Sequence, residues 1–154
     1  EVHLTELELL LKNEGSIRLS NIDEYNHERF ILIDRIGVLA NIYAIGKVAY
    51  VGGSFRQNVH NVVEPAAYQI PVIFGPVNQN SYEAQLLKAS GGGWEIRTRP
   101  EIQTLIEKFS INEIYRLESG KKAFRVVQEN AGATNRSIQV IMDSISPNHP
   151  PTAQ

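Results

Sequence analysis

Residues 51–76 read VGGSFRQNVHNVVEPAAYQIPVIFGP, and this stretch decides the fold. It starts on the end of an apolar run, Val48-Ala49-Tyr50-Val51, closed by Gly52-Gly53. It ends on a second run, Pro71-Val72-Ile73-Phe74, closed by Gly75-Pro76. Between them Asn61, a good N-cap residue, opens a helix over 62–69. Glu64 lies in its first turn, and Pro65 stands where a first turn tolerates proline. Two strands that are apolar on both faces, joined through a helix, are what a parallel sheet covered by helices requires.

The same rhythm extends outward. Phe30-Ile31-Leu32-Ile33 is an apolar run closed by Asp34, and Trp94-Glu95-Ile96 follows Gly91-Gly92-Gly93. The spacing predicts helices over 37–45, over 80–89 behind an Asn80 cap, and over 99–109. Upstream, Leu4, Leu7, Leu10 and Leu11 make 3–14 an amphipathic helix that Gly15 stops. A short strand is expected at Ile17–Leu19 and a polar surface loop at 21–29. The fold class is therefore α/β, a Rossmann-like doubly wound parallel sheet with a helical C-terminal segment at 111–146. Residues 147–154 (PNHPPTAQ) read as a disordered tail. In such sheets ligands bind at the carboxyl ends of the strands. Asp34–Gly37, Gly52–Asn61 and Gly75–Asn80 are therefore expected to converge.

Composition narrows the function. The 154 residues fit one domain, with 15 Lys+Arg against 17 Asp+Glu and a formal charge of -2. That balance argues against a nucleic-acid partner, which calls for a basic face. With no Cys, a disulfide framework and thiolate-held metals are excluded. His3, His27, His60 and His149 have no metal-ligand spacing, so no metal is expected. No apolar run approaches the ~20 residues that span a bilayer. The sequence opens on Glu1-Val2-His3-Leu4, with no signal-peptide pattern, and the missing initiator Met suggests a piece of something longer.

The chemistry concentrates after the Val48–Val51 strand. Gly52 and Gly53 can let backbone amides approach a ligand, and Ser54 follows them. A helix beginning at Asn61 gathers unpaired N–H donors that suit a phosphate. Glu64 there could accept hydrogen bonds from ribose hydroxyls, or only complement the helix dipole. His60 could donate to a phosphate or carboxylate, or be a solvated loop residue. Neither G-x-G-x-x-G nor a P-loop is present, and Ser54 lacks the G-x-S-x-G of a hydrolase elbow. Gly37 can let its helix start close to a phosphate, with Asp34 either at the ligand or a plain N-cap. Arg56 could face an anionic sugar or be solvated. Asn78 and Asn80 could reach a ligand or cap the next helix. Tyr43, Tyr50 and Tyr68 read as core or groove wall.

The runs DRIGVLANIYAIGKVAYVGGSF and HNVVEPAAYQIPVIFGP carry a resemblance. They look like the C-terminal half of the 3-deoxy-D-manno-octulosonic acid (Kdo) transferases, the lipid A glycosyltransferases. Asp34, Gly37, Leu39, Tyr43, Gly52, Gly53, Ser54, His60, Asn61, Glu64, Pro65, Ala66, Phe74, Gly75 and Pro76 stand in the family's order and spacing. The match covers 31–97 well and 127–133 more weakly. It implies a GT-B glycosyltransferase, whose C-terminal domain holds the donor CMP-Kdo and whose N-terminal domain holds the lipid A precursor and the catalytic carboxylate. It implies no metal and no cofactor, and a place on the cytoplasmic face of the bacterial inner membrane, reached through the N-terminal domain. By motif position Gly37 and its neighbours would line the CMP phosphate, with Gly52 and Gly53 among the substrate-binding residues. Ser54, His60 and Asn61 would border phosphate and Kdo, and Glu64 would hold the ribose. No catalytic residue is expected within this chain.

Two departures stand out. The family's Glu after Gly37 is Val38, and its Gly before His60 is Val59. The resemblance makes residues 1–146 a donor domain lacking its first β-α-β part, without transferase activity alone. The alternatives are another GT-B transferase or an epimerase using a UDP sugar, and a non-catalytic nucleotide-binding module. A response-regulator-like domain would need an acidic cluster at its strand ends, where only Asp34 stands.

Overall fold

The structure is a computed structural model that describes residues 2–11, 13–132 and 142. The chain divides into two compact units, residues 1–45 and 46–154.

The first unit opens with α1 (Val2–Leu11), followed by β1 (Ser16–Arg18), a 3₁₀ helix (Leu19–Glu24), β2 (Phe30–Leu32) and α2 (Leu39–Tyr43). β1 and β2 pair in parallel, Ile17 opposite Ile31. Arg18 on β1 grips the Glu8 carboxylate of α1 with two hydrogen bonds, at 2.6 and 2.7 Å. The apolar stripe expected on α1 is only partly covered: Leu4 and Leu11 are half-buried, while Leu7 and Leu10 stay exposed. The polar loop expected at 21–29 overlaps the 3₁₀ helix, although its residues are indeed mostly at the surface.

The second unit holds β3 (Ala49–Val51), α3 (Val63–Ala67), β4 (Val72–Phe74), α4 (Tyr82–Ser90), β5 (Gly93–Glu95), α5 (Arg99–Ile111) and α6 (Glu113–Asn130). Its sheet runs β3-β4-β5, parallel throughout, with Val51 opposite Phe74 and Phe74 opposite Glu95. β4 is central and wholly buried. Side chains alternate across a strand, so Val72 and Phe74 face one core and Ile73 the other. The first core contains Val51, Val62, Ala66, Leu87 and Ala123, bringing α3, α4 and α6 together. The second joins Ile73 to Ile96 and Phe109 with Trp94 and Tyr115 against them, and Trp94 meets Phe109 edge-on at 5.1 Å. Helices on both faces of a parallel sheet make this unit doubly wound.

Burial on both faces holds strictly only for β4. Tyr50 on the edge strand β3 and Ile31 in the two-stranded sheet are each nearly half exposed, because an edge has a neighbour on one side only. α4 is capped by Ser81, whose Oγ accepts from the Ala84 amide at 3.1 Å. The expected cap, Asn80, is used elsewhere. Of the predicted 111–146 helical segment, Glu113–Asn130 forms α6, and 133–141 and 143–146 lie outside the described residues. The tail at 147–154 lies outside the described residues.

Candidate functional site

The loops after β3 and β4 are stitched together. The Val59 amide donates to Val77 O at 3.1 Å, and the Val77 amide to Ser54 O at 2.9 Å. Asn80 Nδ2 donates to Val59 O at 3.3 Å, which is why it does not cap α4. Gly52–Asn61 and Gly75–Asn80 thus converge at the carboxyl edge of the sheet, as the chain order predicts.

Within this pair of loops the glycines seat rings. Gly53 has φ +89°, a conformation that side chains disfavour, and its carbonyl closes a tight turn by accepting from Arg56 N and Gln57 N. A Cβ there would lie 2.7 Å from the His60 ring and 2.6 Å from Asn58 O. His60 therefore rests directly on Gly53. Gly75 does the same for Phe55, whose ring a Cβ would meet at 2.8 Å. Of the glycines in these two loops, Gly52 alone has open space above it.

Ser54 is fully buried, and its Oγ accepts from the Gly75 amide at 2.6 Å. In this structure its hydroxyl joins the two strand ends. Val59, the departure from the family's glycine, is buried in the first core and anchors the loop beneath His60. Asn61 accepts from the amides of Val63 and Glu64, at 2.9 and 3.4 Å, so it caps the α3 turn as expected. Its Nδ2 donates to Glu64 Oε1 at 3.0 Å. That bond fixes an exposed carboxylate whose second oxygen makes no hydrogen bond with the described residues. Gly53, His60 and Asn61 thus follow one another along one loop, and Glu64 stands in the first turn of α3, which the loop enters.

Asn78 is fully buried and does not reach the surface. It donates to Gly75 O at 2.8 Å and to Glu95 Oε2 at 3.0 Å, and accepts from Gln85 Nε2 at 2.7 Å. Glu95 also takes Lys88 Nζ and the Arg97 guanidinium, both at 2.7 Å. Its hydrogen bonds from Lys88, Asn78 and Arg97 hold its carboxyl at about 2. A carboxylate held below its usual value stabilises the fold above pH ~4.5, and that contribution fades as pH falls toward 2. At most about 3 kcal/mol is at stake, reduced by the solvent around Arg97. Acid titration of unfolding should show a loss over that window, which Glu95→Gln flattens. An equal acid loss in the variant would assign it to other carboxylates.

Sequence reasoning missed this network, and it missed Phe55 and Gln57 as walls of the pocket described below. Its available signal was Glu95 itself, a carboxylate inside an apolar strand, which demands a partner. In the first unit Asp34 does not cap α2, which Val38 precedes without a side-chain cap. Asp34 instead accepts from the Ser20 amide and hydroxyl, at 3.1 and 2.5 Å, and the hydroxyl bond above all lowers its pKa. Gly37 has φ +84° and open space around it. Among the described residues no cluster of His, Cys, Asp or Glu could hold a metal ion, and no helix is long and apolar enough to cross a membrane.

A parallel α/β sheet with paired glycine-rich strand-end loops defines a Rossmann-like domain. The chain is related to the Kdo transferases, and its fold is that of their C-terminal domain. It is 35% identical over 98 residues to the 3-deoxy-D-manno-octulosonic acid transferase of Aquifex aeolicus, covering 62% of this chain and 28% of that protein. It is 35% identical over 122 residues to the enzyme of the same name from Chlamydia pneumoniae, covering 75% of this chain and again 28% of the relative. The crystal structure of the C-terminal CMP-Kdo binding domain of WaaA from Acinetobacter baumannii superposes with a TM-score of 0.70 at 20% identity, covering 81% of this chain and 68% of that one. No family model matches. The chain thus spans under a third of the length of these two curated relatives.

Proposed function

We propose that this chain is the donor-binding part of a Kdo transferase, taking CMP-Kdo for transfer to a lipid A precursor in lipopolysaccharide synthesis. The sequence relationship to the Kdo transferases carries the reading. The site geometry agrees with it. Glu64, steadied by Asn61, offers a carboxylate oxygen to ribose hydroxyls. His60, seated on Gly53, offers a ring N–H to the phosphate or the sugar. Ser54 serves indirectly, by fixing the two strand ends to each other.

In the whole enzyme a carboxylate of the N-terminal domain would deprotonate the lipid A hydroxyl, which displaces CMP at the anomeric carbon. The role of this chain's residues is to position the nucleotide and stabilise the leaving phosphate. The whole enzyme would work on the cytoplasmic face of the inner membrane.

Calorimetric titration of the 154-residue chain with CMP and with UDP tests the reading. CMP should bind at least about tenfold more tightly, a difference of ~1.4 kcal/mol. A preference for UDP would favour the UDP-sugar alternatives and sink the Kdo assignment.

A further inference from the structure

Beside the Gly52–Asn61 loop lies a pocket of ≈ 380 Å³ lined by Tyr50, Gly53, Phe55, Arg56, Gln57 and His60. A second, of ≈ 230 Å³, shares Tyr50 and Phe55 with it and adds Thr98 and Arg99. No carboxylate lines either one. Arg97 is neutralised by Glu95 and Arg116 by Glu113, whereas Arg99 in the second pocket, like Arg56, has no ion pair among the described residues. Arg56 is exposed and forms no ion pair among the described residues. Its backbone is nonetheless fixed, through the Arg56 amide bond to Gly53 O. The Phe55 ring is fixed as well, against Gly75. A cation and an aromatic wall therefore line one pocket, next to the histidine of the candidate nucleotide site.

We propose that Arg56 is a specificity residue that takes the carboxylate of an acidic sugar on the donor nucleotide, with Phe55 packing against the sugar's C–H face. The proposal rests on the reading under Proposed function and extends it from the nucleotide to the sugar. A guanidinium presents two parallel N–H donors that match a carboxylate, while a neutral sugar leaves that charge to solvent. An aromatic face beside it receives the apolar side of a ring that has lost a hydroxyl. Both residues follow Ser54 directly, so one short loop would read phosphate and sugar together.

The test is calorimetry of the 154-residue chain and its Arg56→Gln variant with CMP and with CMP-Kdo. The wild type should bind CMP-Kdo about tenfold more tightly than CMP, the scale of a hydrogen bond to a charged group. Arg56→Gln should erase that advantage and leave CMP affinity unchanged. Equal affinity of the wild type for the two ligands would overturn the sugar subsite and leave the nucleotide site standing. So would a variant that keeps the advantage, or one that weakens both ligands alike. Binding of neither ligand by the wild type would overturn both readings.

Discussion

Gly53→Ala is expected to lower the affinity of the chain for CMP by at least about tenfold, at a cost in stability of only about 1–3 kcal/mol. The residue sits at φ +89°, so any side chain there is strained. The added Cβ would also meet the Asn58 carbonyl at 2.6 Å and the His60 ring at 2.7 Å. The carbonyl belongs to backbone and cannot swing away, and the ring is part of the proposed site. The turn must open, and His60 must leave its seat. The helices and the sheet behind the loop keep their cores, so binding should suffer far more than folding. Calorimetry with CMP and a urea midpoint measured on the same variant separate the two effects. Removing the ring as well, in Gly53→Ala with His60→Ala, should not restore binding, because the strain at Gly53 and the clash with Asn58 remain. A Gly53→Ala chain that binds CMP like the wild type would show that this turn does not shape the site.

Phe74→Ala is expected to cost about 3–5 kcal/mol, a large part of the ~5–15 kcal/mol that holds a typical domain together. Phe74 is fully buried on the central strand and belongs to the first core. It also fills the space beside Gly93 on β5, where an added Cβ would come within 3.1 Å of its ring. No neighbour is free to close the gap, since α4 and α6 are already packed on the same face. Tyr50→Ala on the edge strand of the same sheet is the control. Tyr50 is 48% exposed, and its loss should cost about 1 kcal/mol or less. Urea unfolding of both variants checks the contrast, and equal costs would contradict the two-core arrangement.

What could be read from the chain divides along physical lines. The strand positions were legible because apolar runs closed by glycine are produced by the sheet itself. Val72–Phe74 is the clearest of them, being buried on both faces. The meeting of the β3 and β4 loops follows from parallel order alone. Exposure at Ile31 and Tyr50 was not legible, because an apolar run does not say which strand lies at an edge. Capping was legible at Asn61 but not at Asn80, where Ser81 one residue on has the better geometry for Ala84. The inward turn of Ser54 was hidden for a similar reason. A serine after two glycines reads as ligand-facing until the Gly75 amide is known to lie beside it. The partners of Glu95 come from α4 and from two loops, and no local spacing announces such a set.

If the chain is a donor-binding domain as proposed, the nucleotide sits on the strand-end loops of the second unit. The most direct test is heteronuclear NMR of the 154-residue chain titrated with CMP. The amides of Gly53, His60, Asn61 and Glu64 should shift together with one affinity. Leu87 and Val126, which line the apolar groove between α4 and α6, should stay in place. Shifts centred on that groove, with the Gly53–Glu64 amides unmoved, would contradict it.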